Sequence, residues 1–346
     1  MRQHDPSNPV DPPAELIALD WGTTSLRAYL LGDEGRALQR RSLPLGLMRV
    51  QERTEYVTKR DRAFESALAD ACGDWMHDMP SVPVLAAGMV GSSQGWKEAP
   101  YRTTPLELMQ LSRYLTPVQD SNGRTIYLVP GLLQKGALPD VMRGEETQIL
   151  GALPSINSPD YEQDLLFCLP GTHSKWAHVS RGCIHRFATF MTGEVFSVLR
   201  RHSILSKTIR DGSTDLAAFE RGASLAATEN GRAGVLSNIF SVRTLGLTGA
   251  LPPEQQADYL SGILIGHEIS SMSQVLKSKI FTAGNLDTPI VLIGEDELCL
   301  RYSRALKMHG YENIRIAADA MQRGLWKTSL EAFQKNRRPV PRRGDS

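Results

Sequence analysis

Three groups of residues have types and spacings that could do chemistry. In "LIALDWGTTSLRAYLL", Asp20 closes an apolar run, and Gly22, Thr23, Thr24 and Ser25 precede the next one. In "DLLFCLPGTHSKWAHV", Gly171, Thr172, His173 and Ser174 sit in the same way between two apolar runs. Glycine lets backbone N–H groups approach phosphate oxygens, and hydroxyls add donors, so each stretch suits a phosphate. The third group is "DVMRGEETQ", which offers the carboxylates of Asp140, Glu145 and Glu146. A carboxylate beside an attacking hydroxyl can take its proton. Acidic residues in a first helical turn are also favoured by the macrodipole alone.

These groups need elements to hold them. "LIALD", "LRAYLL" and "RALQRRSLPL" read as consecutive strands, with "GDEG" a turn between the last two. "DRAFESALADACGDWM" has helical spacing, with Phe64, Leu68, Ala71, Cys72 and Trp75 on one face. "VPVLAAGMVG" and "TIYLVPGL" read as buried strands, "EETQILGAL" as a helix behind Gly144, and "SINSPDYEQ" as a loop at a boundary. Then strand, glycine-hydroxyl turn, strand, short turn and strand recur, with 149 residues separating Gly22 from Gly171. Repetition at half the chain length indicates a duplicated domain. Two such turns facing each other across a cleft would hold a polyphosphate between them. Only the first carries an acid two residues before its glycine: Asp20, against Leu169 in the second. Mg²⁺ on a nucleotide keeps several waters and needs few carboxylates, so Asp20 is the candidate metal anchor. An aspartate capping the turn is the plainer alternative.

Composition narrows the class. The 346 residues are 41% hydrophobic, enough for two cores. A net charge of +1 supplies no field for nucleic acid or an anionic membrane. No apolar run reaches membrane-spanning length, and the proline-rich start lacks a signal-peptide core. Cys72, Cys168, Cys183 and Cys299 show no CxxC spacing and read as thiols in a reducing, cytoplasmic setting. Residues 1–13 read as a flexible lead-in and 333–346 as a basic tail. Residues 14–155 and 156–332 are the expected lobes. Neither GxxxxGK[ST] nor a strand-borne GxGxxG is present.

Other segments could face a ligand. "AAGMVGSSQGWKEAPY" opens a strand into a loop with Gly91, Gln94, Trp96 and Lys97. Such a loop could cover a small polar ligand, or be an ordinary turn with Trp96 packed inside. Thr172, His173 and Ser174 would contact phosphate, although a lone histidine is often structural. Thr192, Gly193 and Glu194 mark a helix start, where Glu194 could bind sugar hydroxyls or simply favour the N-terminus. Gly262 and Gly266 in "GILIGHEI" permit close helix packing. Lys175 and Trp176 read as strand residues behind the phosphate turn.

"DWGTTSLR" and "LPGTHSKW" resemble the two phosphate motifs of the superfamily of sugar kinases, heat-shock ATPases and actin. "VLIGEDELCLRYSRALKMHG" is similar to its adenosine motif, near Gly294 and Leu298. With "MRGEETQILGAL", "FATFMTGEVFSVLRRHSIL" and "YLSGILIGHEI", the chain more narrowly resembles the 2-dehydro-3-deoxygalactonokinase family. The resemblance spans roughly residues 16–270, with the adenosine side extending to about 330. It implies an α/β fold of two duplicated ribonuclease H-like lobes, the actin-like ATPase fold, with a cleft between them. It also implies ATP- and Mg²⁺-dependent phosphorylation of the terminal (6-) hydroxyl of 2-dehydro-3-deoxy-D-galactonate, in galactonate catabolism. The substrate carboxylate then wants a cation, Arg143 or Lys97. The glycine–Glu–Glu helix start also resembles that of exopolyphosphatases, where a glutamate is the base; in several sugar kinases an aspartate serves. The base is therefore expected at Glu146 or Glu145, with Asp140 in reserve. The expected partners are the sugar acid and ATP, with a second copy of the chain in a homodimer, and neither nucleic acid nor membrane. A polyphosphate or nucleotide hydrolase, and a nucleotide-switched binding protein, are the competing expectations.

Overall fold

The computed structural model describes residues 13–52, 59–277 and 287–334. The expected lead-in up to residue 12, and the tail from residue 335, lie outside them.

Two sheets carry the molecule. The runs around the first glycine turn form β1 (Leu16–Trp21) and β2 (Leu26–Leu31), followed by β3 (Ala37–Leu43). The expected helix is α1 (Arg60–Asp78), with all five residues of its apolar face buried. After it come β4 (Val84–Gly88), β5 (Arg102–Thr103), β6 (Leu106–Glu107), β7 (Thr116–Gln119) and β8 (Thr125–Leu128). The first sheet runs β3-β2-β1-β4-β8-β7. Its first three strands are antiparallel, while β4 and β8 continue parallel to β1. β1 is buried along its whole length, as a strand covered on both faces must be.

Next come β9 (Leu132–Gln134), β10 (Asp140–Met142) and α2 (Glu145–Ala152); β10-β9-β5 form a small sheet. The second half repeats the first with β11 (Asp164–Leu169), β12 (Ser174–Ser180) and β13 (Cys183–Phe190). Its helices and remaining strands are α3 (Thr192–His202), α4 (Leu216–Leu225), α5 (Gln256–Lys277), β14 (Ile290–Leu292), α6 (Asp296–Met308), β15 (Ile314–Ile316) and α7 (Ala320–Ser329). The order β15-β14-β11-β12-β13-β6 reproduces the first sheet: an antiparallel trio, then two parallel strands. This is the ribonuclease H-like arrangement, made twice. Two pieces cross between the halves. β6 pairs with the edge of β13, and α7 packs on α2 and β1.

Strand alternation decides which side chains meet. Ile17, Leu19 and Trp21 turn outward to α1, while Leu16 and Ala18 turn inward. The inward core also holds Leu165, Phe167 and Leu169 of β11, so the two sheets share it. Asp20 continues the inward row at the end of β1. Leu166, Cys168 and Trp176 face the other way, against α4, α5 and α6.

Glycines let helices cross closely. A Cβ on Gly151 of α2 would lie 1.8 Å from the Ala320 carbonyl, and one on Gly324 of α7 would lie 1.9 Å from that of Thr147. In the second half, Gly262 of α5 meets the Phe219 carbonyl of α4 in the same way, as its spacing in the sequence suggests. We expect Gly151→Val to cost about 2 kcal/mol or more by overpacking. Calorimetry should show a Tm lower by several degrees.

Candidate active site

A cleft of about 450 Å³ opens where the two sheets' glycine turns approach each other. Gly22 and Thr23 line one side; Gly171, Thr172 and His173 line the other. Asp20 and Thr172 thus share one crevice. The turns are braced from behind by their carbonyls: Leu47 and Met48 donate to Gly22 and Thr23, at 3.0 Å each. Glu194 donates to Thr172 across 3.0 Å. The N–H groups of Thr23, Thr24, Gly171, Thr172 and His173 have no backbone acceptor among the described residues. Successive free N–H groups of this kind form an anion cradle.

Asp20 is 8% exposed. Its Oδ2 accepts from Arg27 Nη1 at 3.2 Å, and the same guanidinium reaches Glu295 Oε1, from the other half, at 3.3 Å. Burial raises its carboxyl pKa, and Arg27 opposes the rise. No cluster of three metal-binding side chains occurs among the described residues. A single buried carboxylate at a phosphate cradle fits a water-rich Mg²⁺, and does not fit an all-protein metal cage.

The candidate bases part company. α2 begins at Gly144, whose backbone abuts Gly88 at the end of β4; a Cβ there would lie 3.3 Å from the Gly88 Cα. Gly144 has φ +104°, and Gly88 has φ +93°, conformations that favour glycine. The tight start sends Glu145 into the cleft and Glu146 into the interior. Glu145 Oε2 accepts from the Arg143 N–H at 2.9 Å. Its pKa is raised by burial, with Lys175 the chief opposing charge. Glu146 is fully buried, accepting from the Gly144 N–H at 2.7 Å and the Thr147 hydroxyl at 3.0 Å. Burial, with Glu145 beside it, pushes its carboxyl up to about 7. Asp140 does not line the cleft; it accepts from Thr189 Oγ1 at 2.6 Å.

Arg143 lines the cleft beside Met89 and Tyr101 and is 9% exposed. Nη2 donates to the Ala99 carbonyl at 2.8 Å, and the guanidinium lies 4.3 Å from the centre of the Tyr101 ring. Its Nε and Nη1 are buried without an acceptor among the described residues. A buried cation with unspent donors is costly unless an anion comes to it.

The loop thought to cover a ligand is arranged otherwise. Trp96 stacks on Phe64 in the first core, centroids 6.0 Å apart. Gly91 lies buried against Arg143, where a Cβ would be 3.0 Å from Nη1. Exposed Lys97 donates to the Pro117 carbonyl at 2.8 Å, and Gln94 is also exposed; neither lines the cleft. Glu194 binds His173 Nε2 at 2.5 Å. Ser174 sits on the outward face of β12 and shares a hydrogen bond of 2.9 Å with the Tyr302 hydroxyl.

Two features escaped the sequence. Lys175, read as a strand residue, lines the cleft on the inward face of β12. A second pocket of about 470 Å³ adjoins at Gly171. It is lined by Arg210, Thr214, Glu254, Glu297, Leu298 and Arg301, among others, with Gly294 at the cleft beside it. These residues come from three separated segments; Gly294, Glu297, Leu298 and Arg301 lie within one legible stretch, whereas Arg210, Thr214 and Glu254 stood in none.

Comparison with known proteins bears on the family and the fold. Residues 20–328 match the family described as 2-keto-3-deoxy-galactonokinase. An Escherichia coli K12 protein named 2-dehydro-3-deoxygalactonokinase is 34% identical over 319 residues, covering 90% of this chain and 96% of its own. A Rhizobium meliloti protein carrying the same name is 34% identical over 321 residues, covering 89% and 97%. A crystal structure of a Sinorhizobium meliloti protein, also given that name, superposes with a TM-score of 0.74 at 32% identity, covering 92% and 99%.

Proposed function

Since the chain belongs to the 2-keto-3-deoxy-galactonokinase family and is a sugar-acid kinase, we propose that it phosphorylates the 6-hydroxyl of 2-dehydro-3-deoxy-D-galactonate from ATP, with Mg²⁺, in galactonate catabolism. The observation that carries the substrate class is Arg143: a buried guanidinium with two unpartnered nitrogens, in the cleft that holds the phosphate cradles. A carboxylate satisfies such a fork, and a substrate without one leaves it unpaired.

In this reading the lobes are residues 14–155 and 156–332, corrected by the two crossovers that return α7 to the first lobe and lend β6 to the second. They close on the substrates to exclude water that would otherwise take the phosphoryl group. The N–H groups of Thr23 and Thr24 and of Gly171, Thr172 and His173 hold phosphate oxygens from two sides, while the Gly22 N–H closes the first turn on the Ser25 carbonyl at 2.9 Å. The pocket beyond Gly294 and Leu298 takes the nucleoside. Asp20 would hold Mg²⁺, which supplies charge neutralisation on the phosphate oxygens. Glu145 takes the proton of the attacking hydroxyl as the new oxygen–phosphorus bond forms and the bond to the ADP oxygen breaks. Ser174 is not a phosphate ligand in this reading, since its hydroxyl is buried against Tyr302. Glu146, Asp140 and Trp96 support the fold, His173 and Glu194 brace the second turn, and Gln94 and Lys97 stay outside the cleft.

A coupled ADP-release assay against a panel of keto-deoxy sugar acids tests the reading. Turnover should require the sugar acid; phosphate release at an equal rate without it would make the chain a hydrolase. Arg143→Met should raise the KM for the sugar acid by about 10- to 100-fold, the value of a charged hydrogen bond, while the KM for ATP changes little.

A further inference from the structure

Lys175 has no role in the chemistry described so far, yet it is a cleft-lining ammonium only 6% exposed. Letter by letter it aligns with Leu26 of the first turn, which is why it reads as a strand residue. In register it stands opposite Leu169, as Arg27 stands opposite Asp20. The second hairpin is one residue shorter between these partners. This rotates Lys175 onto the inward face, where Arg27 lies in the first half. Arg27 has a carboxylate across the ladder; Lys175 faces an apolar leucine, so its charge is available to another group.

That group comes from the other half. Lys175 Nζ donates to the Val141 carbonyl at 2.9 Å and to Thr189 Oγ1 at 2.7 Å; Thr189 in turn donates to Asp140 at 2.6 Å. The ammonium is thereby fixed to β10, the strand that leads into Glu145. A lysine has three donors, and the third has no acceptor among the described residues.

Building on the kinase reading and on Glu145 as its base, we propose that Lys175 is a positioning residue. It ties the segment carrying Glu145 to the second phosphate turn and places its positive charge in the cleft that Glu145 lines. The other charged or titratable groups lining the cleft are Asp20 from β1, Tyr101, Arg143 from the α2 start and His173 from the turn; Glu146 lies on Glu145's own helix. Lys175 is the largest opposing influence on a carboxyl whose pKa burial raises. Removing its charge should therefore raise that pKa further, and the acid limb of kcat/KM should move to higher pH.

The test compares wild type, Lys175→Met and Lys175→Gln in ATP and sugar-acid assays from pH 5 to 9. The amide retains hydrogen-bond donors without charge, so it reports even if the methionine variant does not fold. The expected result is an acid limb about one pH unit higher and a kcat at pH 7 about tenfold lower, with nucleotide KM nearly unchanged. A folded variant with its limb in place, or with its whole loss in nucleotide KM, overturns the proposal. Carbon-13 NMR titration of Glu145 in wild type and Lys175→Gln needs no turnover and separates the two readings. An upward shift supports the Lys175 role even if the sugar acid proves inert; an unshifted resonance overturns it even if the kinase activity is present.

Discussion

Asp20→Asn is expected to lower kcat by about a thousandfold or more, since charge neutralisation carries most of the work in phosphoryl transfer. The substitution is nearly isosteric and sits on a continuous ladder, opposite Arg27. It should leave the fold alone, because burial already disfavours the charged form of Asp20 and a neutral amide avoids that cost. Arg27 keeps Glu295 as a partner across the cleft. Steady-state kinetics across a Mg²⁺ titration and a melting curve check the two halves of the expectation. Undiminished turnover at limiting Mg²⁺ would remove Asp20 from the metal site. A large drop in Tm would mean that the Asp20–Arg27 pair is structural.

The first turn was legible because its apolar runs, small residues and carboxylate all lie within one short stretch. The same local signals gave α1 its buried face, and the duplication gave the second sheet. What was not legible depends on register or on distance along the chain. Lys175 was hidden by a hairpin one residue shorter than its counterpart. Ser174 looked like a phosphate ligand until strand alternation turned it toward Tyr302. Trp96 stood in a glycine-rich loop, yet a ring that large is worth more packed on Phe64 than held over a small polar ligand. The strands β5 to β7, β9 and β10 have two to four residues each, too few for a periodic signal. The return of α7 to the first half rests on long-range contacts through Gly151 and Gly324, and no local pattern announces it.

Neighbouring glutamates at the start of α2 should give opposite results. Glu145→Gln is expected to lower kcat by about 10²- to 10⁴-fold, the usual worth of a general base, without changing the melting temperature much. Glu146→Gln should leave kcat within a few-fold and alter stability instead. The folded protein holds the Glu146 proton up to about pH 7, against an ordinary value of 4.5, so between those values it binds a proton that the unfolded chain has released. Wild-type stability therefore falls through this group as pH rises from 4.5 to 7, and the loss is complete above 7. The amide does not ionise, and it can still accept from the Gly144 N–H while donating to the Thr147 hydroxyl. Its melting temperature should exceed that of wild type at pH 8, with the gap closing toward pH 5. If Glu146→Gln instead abolished turnover while Glu145→Gln stayed active, the fully enclosed carboxylate would be the base. The α2 start would then have to open during each cycle for a hydroxyl to reach it.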